Sequence, residues 1–263
     1  MKRYFDLHVH TEFCDGRATA EDMVKAAIAL GCPRIGLSSH APMAYGGYSM
    51  KPEREDEYIA EIHRLRDVYR EKIEVLCGLE VDYFALPVDK SKYDYLIGAC
   101  HSLSPLSSLT PRGRVDVDGP VDLLQAAIAQ DFGGDAYAAV EDYFATVSRL
   151  GERQPDIIGH VDLIRKYNAG GALFDELHPR YLAAARAAVD ALLPLGIPFE
   201  MNTGAVSRGY RETPYPAAPL LAYILARGGR IVLTGDAHRP EHLCYEFEKW
   251  ERYLDMFSRV SRA

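Results

Sequence analysis

Tyr4-Phe5-Asp6-Leu7-His8-Val9-His10 reads as a short apolar strand that ends in two histidines. The chain then repeats this grammar, a strand-like run followed by a polar residue and a helical stretch. Further runs are Arg34-Ile35-Gly36-Leu37-Ser38, Ile73 to Leu79, Tyr95 to Cys100, Asp156 to Gly159, Ile197 to Met201 and Arg230 to Thr234. Between them lie helical patterns. Residues 20–30 place Met23, Ala26, Ala27 and Leu30 on one face, with Gly31 as the stop. Residues 53–72 place Tyr58, Ile62, Leu65 and Tyr69 at three- to four-residue spacing. Further helices are expected at 121–130, 136–150, 179–193, 219–227 and 241–257. Residues 103–119 are polar and read as a long loop, the kind that tends to be functional. Seven nearly continuous apolar strands joined mostly by helices imply a parallel sheet covered on both faces. At 263 residues, with no visible linker, the expectation is one α/β domain over 1–263: a distorted (β/α)7 barrel like a TIM barrel, active site at the C-terminal ends of the strands. A doubly wound sheet is the alternative.

Composition narrows the function classes. The formal net charge is −8, from 30 basic and 38 acidic residues, which argues against a nucleic-acid surface. No apolar run is long enough for a transmembrane helix. The N-terminus meets Asp6 too early for a signal peptide. The five cysteines are odd in number and form no C-x-x-C, so a reducing cytoplasm is expected rather than a disulfide scaffold.

The histidines are placed unevenly. His8, His10, His40, His101, His160 and His238, six of the nine, fall just past an apolar run, as do Glu80 and Asp236. In a parallel barrel those ends open on one face. In an extended strand residues i and i+2 share a side, so His8 and His10 reach one ion, as do Asp236 and His238 if their strand continues. Imidazole with carboxylate suits zinc, manganese or iron better than calcium or magnesium. So many ligands exceed one tetrahedral ion and point to two or three ions bridged by a carboxylate. His63, His178 and His242 lie in or at the starts of helices and are read as surface or packing residues.

The motifs Asp6-x-His8-x-His10-Thr11, Ser39-His40, Gly78-Leu79-Glu80, Cys100-His101, Gly159-His160-Val161-Asp162 and Gly235-Asp236-Ala237-His238 resemble the PHP (polymerase and histidinol phosphatase) superfamily, in order and over essentially the whole chain. His10 to Gly16, Gly78 to Phe84 and Phe199 to Thr203 are most similar to its histidinol-phosphate phosphatase branch. The resemblance implies three divalent ions. His8, His10, Glu80 and Asp236 would hold one; Glu80, His101 and His160 a second, with Glu80 bridging; Asp15, His40 and His238 the third. Relatives often carry His where this chain has Asp15, and Cys100-His101-Ser102-Leu103 departs from the branch's pattern.

The implied activity is phosphomonoester hydrolysis, with L-histidinol phosphate, an intermediate of histidine biosynthesis, as the small phosphorylated substrate. The nucleophile would be hydroxide shared between ions, and Glu80, Asp236, Asp15 and His40 the ligands at the reacting centre. Arg165 and Arg208 are the resemblance's phosphate ligands, and Arg17 is a third candidate. Asp116-Val117-Asp118-Gly119-Pro120 looks superficially like an aspartyl-nucleophile motif but follows no apolar strand, so a loop is expected. The alternatives are another PHP phosphoesterase (nucleotide, phosphotyrosine or general), an amidohydrolase-type barrel, or a non-catalytic metal-binding module. Three divalent ions would bring −8 to −2, so the acidic balance describes mainly the metal-free chain.

Overall fold

The computed structural model describes residues 4–44, 47–111 and 113–260, with side chains to 257. The first three residues of the N-terminal stretch and Arg112 of the 103–119 loop lie outside them. Six strands lie in one curled sheet in chain order: β1 (Arg34–Leu37), β2 (Glu74–Asp82), β3 (Tyr95–Ala99), β4 (Ile157–Ile158), β5 (Phe199–Asn202) and β6 (Ile231–Thr234). Every neighbouring pair is parallel. The helices are α1 (Ala20–Ala29), α2 (Glu55–Tyr69), α3 (Val121–Asp131), α4 (Ala136–Val147), α5 (Pro179–Leu192), α6 (Gly204–Ser207), α7 (Ala218–Ala226) and α8 (Phe247–Val260).

Local chemistry explains the boundaries. Thr19 caps α1 by accepting from the Asp22 N–H, and the helix buries Ala20, Met23, Val24 and Ala27. In α2, Tyr58, Ile62 and Leu65 are buried, and the Tyr58 hydroxyl reaches the Leu37 and Gly78 carbonyls, tying the helix to β1 and β2. Inside the curl, the Tyr95 ring crosses the floor and its hydroxyl donates to the Leu7 carbonyl at 2.6 Å. A Cβ on Gly36 would lie 2.1 Å from the Tyr95 hydroxyl oxygen and one on Gly78 2.2 Å from the ring, so only glycine leaves the side chain room. Tyr95, Ile97 and Ile157 plug the floor, and the C-terminal ends of the strands lie above it.

Several expectations are corrected. The 4–10 segment is not a ladder strand but makes isolated parallel bridges, Asp6 to Ile35 on one side and Val9 to Ala237 on the other. Its backbone serves both neighbours: Gly36 N–H donates to the Asp6 carbonyl, and Ala237 N–H to the His8 carbonyl. Strand β2 runs past Leu79 to Asp82, so Glu80 stands within a strand rather than after it. The 103–119 loop is partly ordered as an antiparallel return: Leu103 N–H donates to Val115 O and Val117 N–H to His101 O. The final helix begins at Phe247, because left-handed residues Cys244 (φ 51°) and Glu246 (φ 53°) separate it from a short turn at Pro240–His242. Among the described residues no helix is long and apolar enough to cross a membrane.

Candidate metal centre

The site is built around Glu80, fully buried on β2. Its two oxygens face different histidines. Oε1 lies 2.9 Å from His160 Nε2 and 3.4 Å from His101 Nε2. Oε2 lies 2.8 Å from His40 Nδ1, 3.3 Å from His8 Nε2 and 3.5 Å from His10 Nε2. Asp236 Oδ1 approaches His10 Nε2 at 3.1 Å, and Asp15 Oδ2 approaches His238 Nε2 at 3.2 Å. Ligand atoms within 4.8 Å of one another form four overlapping groups: His8-His10-Asp236, His8-Glu80-His160, His40-Glu80-His101 and His10-Asp15-His40-His238. All nine residues named from the sequence fall in them. The partition differs from the resemblance: Glu80 is not grouped with His8, His10 and Asp236, His10 also joins Asp15, His40 and His238, and His101 and His160 fall in separate groups that share Glu80.

Burial opposes every charge here, yet the carboxylates stay ionised. His40, His8 and His101 hold Glu80 well below the usual carboxylate range, and Arg208 and His8 do the same for Asp236. His10 is lowered as well, to about 3, because it is buried beside His238 and His40, and for an imidazole that means neutrality. Its imidazole therefore offers a lone pair rather than a proton. The buried atoms His8 Nε2, His10 Nε2 and Glu80 Oε2 have no hydrogen-bond partner. Converging, buried and unsatisfied lone pairs are costly unless a cation accepts them, and imidazole-plus-carboxylate donors fit zinc, manganese or iron.

The supporting residues follow the same logic. His8 Nδ1 faces Glu200 Oε1 at 2.6 Å, and His101 Nδ1 faces Asp82 Oδ2 at 3.0 Å. An ionised carboxylate there keeps the proton on Nδ1 and frees Nε2 for a metal. Asp82 shares a strand face with Glu80 at i+2. Asp6 braces the first segment, accepting from the N–H groups of His8, Gly235 and Cys244. Asp236 sits at φ 49°, a left-handed conformation unusual outside glycine, beside this brace.

Residues 6–204 match the PHP domain family. The chain belongs to the PHP family. Among its relatives are a probable histidinol-phosphatase of Deinococcus radiodurans, 30% identical across 92% of this chain and 89% of that one, and another of Schizosaccharomyces pombe, 28% identical across 94% and 85%. The histidinol-phosphatase of Bacillus subtilis is 24% identical over 92% of this chain and 96% of its own. Two solved structures share the fold at 20% identity. HisK of Listeria monocytogenes has a TM-score of 0.80 over 94% of this chain and 100% of its own. Histidinol phosphate phosphatase of Lactococcus lactis, complexed with zinc, L-histidinol and phosphate, has 0.70 over 98% and 94%.

In this PHP protein all of the ligand residues except His8 and His10 line a cavity of about 640 Å³, which is lined also by Arg17, Tyr48, Asp116, Asp118, Lys166, Arg208, Tyr210 and His242. Arg208 donates to Asp236 Oδ2 at 2.9 Å and to the Asp236 carbonyl at 3.0 Å. Gly204 is what lets them meet: a Cβ there would lie 2.7 Å from Asp236 Oδ2 and 2.8 Å from Arg208 Nη2. Arg165 is placed differently. It is buried behind the cavity, bonded to Glu176 at 3.0 Å, the Pro214 carbonyl and Thr213. Its neighbour Lys166, overlooked in the sequence, lines the cavity with its ammonium on Asp118 at 3.3 Å. Of the histidines expected to be surface or packing residues, His178 caps α5, whereas His242 lines the cavity. Glu200, also overlooked, carried a legible signal: a lone carboxylate in an otherwise apolar strand must have a buried partner.

Proposed function

We propose that the chain is a metal-dependent phosphomonoesterase that converts L-histidinol phosphate and water to L-histidinol and phosphate in histidine biosynthesis. The observation that carries this is the set of nine imidazole and carboxylate side chains, with unsatisfied buried atoms among them, seven of these side chains lining a cavity of small-ligand size. The names of the relatives support the substrate. Three ions fit the ligand count, as zinc, manganese or iron. When bound, such ions supply a nucleophile from water near neutral pH and positive charge for the phosphoryl oxygens. Glu80, Asp236, Asp15 and His40 hold the reacting centre together.

The chain's own residues do the rest. Arg208, with two donors already pointed at Asp236, stands where a phosphoryl group beside the ligands would meet a planar cation. Arg17 and Lys166 add charge from the wall. Arg165 acts one step removed, by holding the 176 and 213–214 segments around Arg208's side of the cavity. The 4–10 segment, bridged to both β1 and Ala237, completes the ring as a seventh stave of one domain. Five free thiols support a cytoplasmic home. The test is phosphate release from L-histidinol phosphate by protein loaded with zinc or manganese, lost on chelation. A metal-replete protein inactive on every phosphomonoester refutes the proposal, and one that prefers nucleotides or phosphotyrosine moves it to another PHP phosphoesterase.

A further inference from the structure

Two thiols far apart in the chain lie together outside the ligand set. Cys32 Sγ and Cys244 Sγ are 3.8 Å apart, across 212 residues. Cys32 sits at the turn from α1 into β1 and is buried; Cys244 is partly exposed, between the Pro240–His242 turn and α8. The remaining cysteines are differently placed. Cys77 and Cys100 are buried, and Cys14 lies 3.4 Å from His10 Nδ1.

Cys244 is also tied to the metal centre. Its N–H donates to Asp6 Oδ2 at 3.1 Å, while Asp6 Oδ1 accepts from Gly235 N–H at 2.8 Å and His8 N–H at 3.2 Å. One carboxylate therefore links Cys244 to the backbone of ligand His8 and to the residue preceding ligand Asp236. Joining the two sulfurs requires them to close by about 1.8 Å, to a bond of about 2.05 Å. Cys244 occupies a left-handed backbone position (φ 51°), so the closure draws on a segment without regular structure. Any shift of the Cys244 N–H is felt at Asp6.

We propose that Cys32 and Cys244 form a reversible disulfide that loosens the metal centre through Asp6. The oxidant is a small-molecule disulfide such as glutathione disulfide. Its S–S bond breaks and the Cys32–Cys244 bond forms. The two thiol protons and two electrons leave with two molecules of reduced small thiol. In the reduced state the Asp6 brace holds His8 and Asp236 for the metal; in the oxidised state the brace is displaced. The pair is a modification site rather than part of the reaction, and its test does not depend on the phosphatase reading.

The experiment uses full-length, zinc-loaded protein treated with glutathione disulfide. Peptide mapping under non-reducing conditions reads the cross-link, and a chromogenic chelator reads zinc release. The expected result is a Cys32–Cys244 peptide pair and zinc lost about tenfold more readily, the size of effect typical when support of a metal ligand is disturbed. Dithiothreitol reverses both. Cys32→Ser keeps the untreated protein's zinc retention, and Cys32→Ser and Cys244→Ser each abolish the response. Glutathione left on Cys14 or Cys244 without the cross-link overturns the proposal. So does a cross-link that leaves zinc retention unchanged.

Discussion

Glu200→Gln is a substitution of nearly equal shape whose effect follows from atom counting. Glu200 accepts from three directions: His8 Nδ1 at 2.6 Å on Oε1, and the His160 N–H at 3.0 Å and Asn202 Nδ2 at 3.1 Å on Oε2. A glutamine has only one acceptor oxygen. If that oxygen faces His8, its NH2 group confronts two buried donors, at about 1–3 kcal/mol for each one left unsatisfied. If it faces His160 and Asn202, the NH2 group points at His8 Nδ1. That nitrogen must then accept, which moves the ring proton to Nε2, the atom aimed at Glu80 and the metal. The first orientation costs stability. About 2 kcal/mol corresponds to roughly 4–8 °C in Tm for a chain of this size. The second costs metal affinity, about 10–100-fold, or about 1.4–2.8 kcal/mol. Thermal unfolding by circular dichroism and zinc competition against a calibrated chelator together read both. A Glu200→Gln protein with parental Tm and parental zinc affinity refutes the assignment of Glu200 as the group that sets the His8 tautomer.

Gly204→Ala forces Asp236 and Arg208 apart, and a displacement of this kind at the reacting centre is expected to lower kcat/KM on the best phosphomonoester about 10²-fold, with bound zinc measured alongside to separate loss of metal from loss of positioning. Because the ligand atoms are preformed, and all but those of Asp15 and His238 are buried, free zinc at about 100 times its Kd raises stability by about 2.7 kcal/mol, which calorimetry reads as a Tm that climbs with zinc; a flat Tm contradicts the site. Burial pushes the Cys77 thiol up to about 12 and raises Cys100 as well, so native protein at pH 8 is expected to leave both unalkylated by iodoacetamide until it is unfolded, as mass mapping checks.

How much of the site was legible turns on distance along the chain. His8 and His10 were readable as a pair because i and i+2 share a face of an extended segment. Glu80 was readable by type and position, although its place inside β2 was not, since only pairing with β3 extends the strand to Asp82. The supports were harder to see. Glu200 is 192 residues from the histidine it orients, and Asp6 is 229 residues from Gly235. No local spacing encodes either contact. The two arginines differ for the same reason: Arg208 and Arg165 look alike in sequence, but Glu176 and the Pro214 carbonyl turn Arg165 away from the cavity.

The sequence by itself determined which chemistry is available, because ligand type is a property of the side chain and the two-residue repeat of a strand is a property of the backbone. From these alone follow the alternating strands and helices, the metal-binding residue types and the face on which they gather. The tertiary structure decided which oxygen of Glu80 meets which imidazole, which ring nitrogen carries the proton and which cation reaches the cavity. Those are matters of a few tenths of an ångström between residues far apart in the chain, and only the closed packing of the curled sheet sets them.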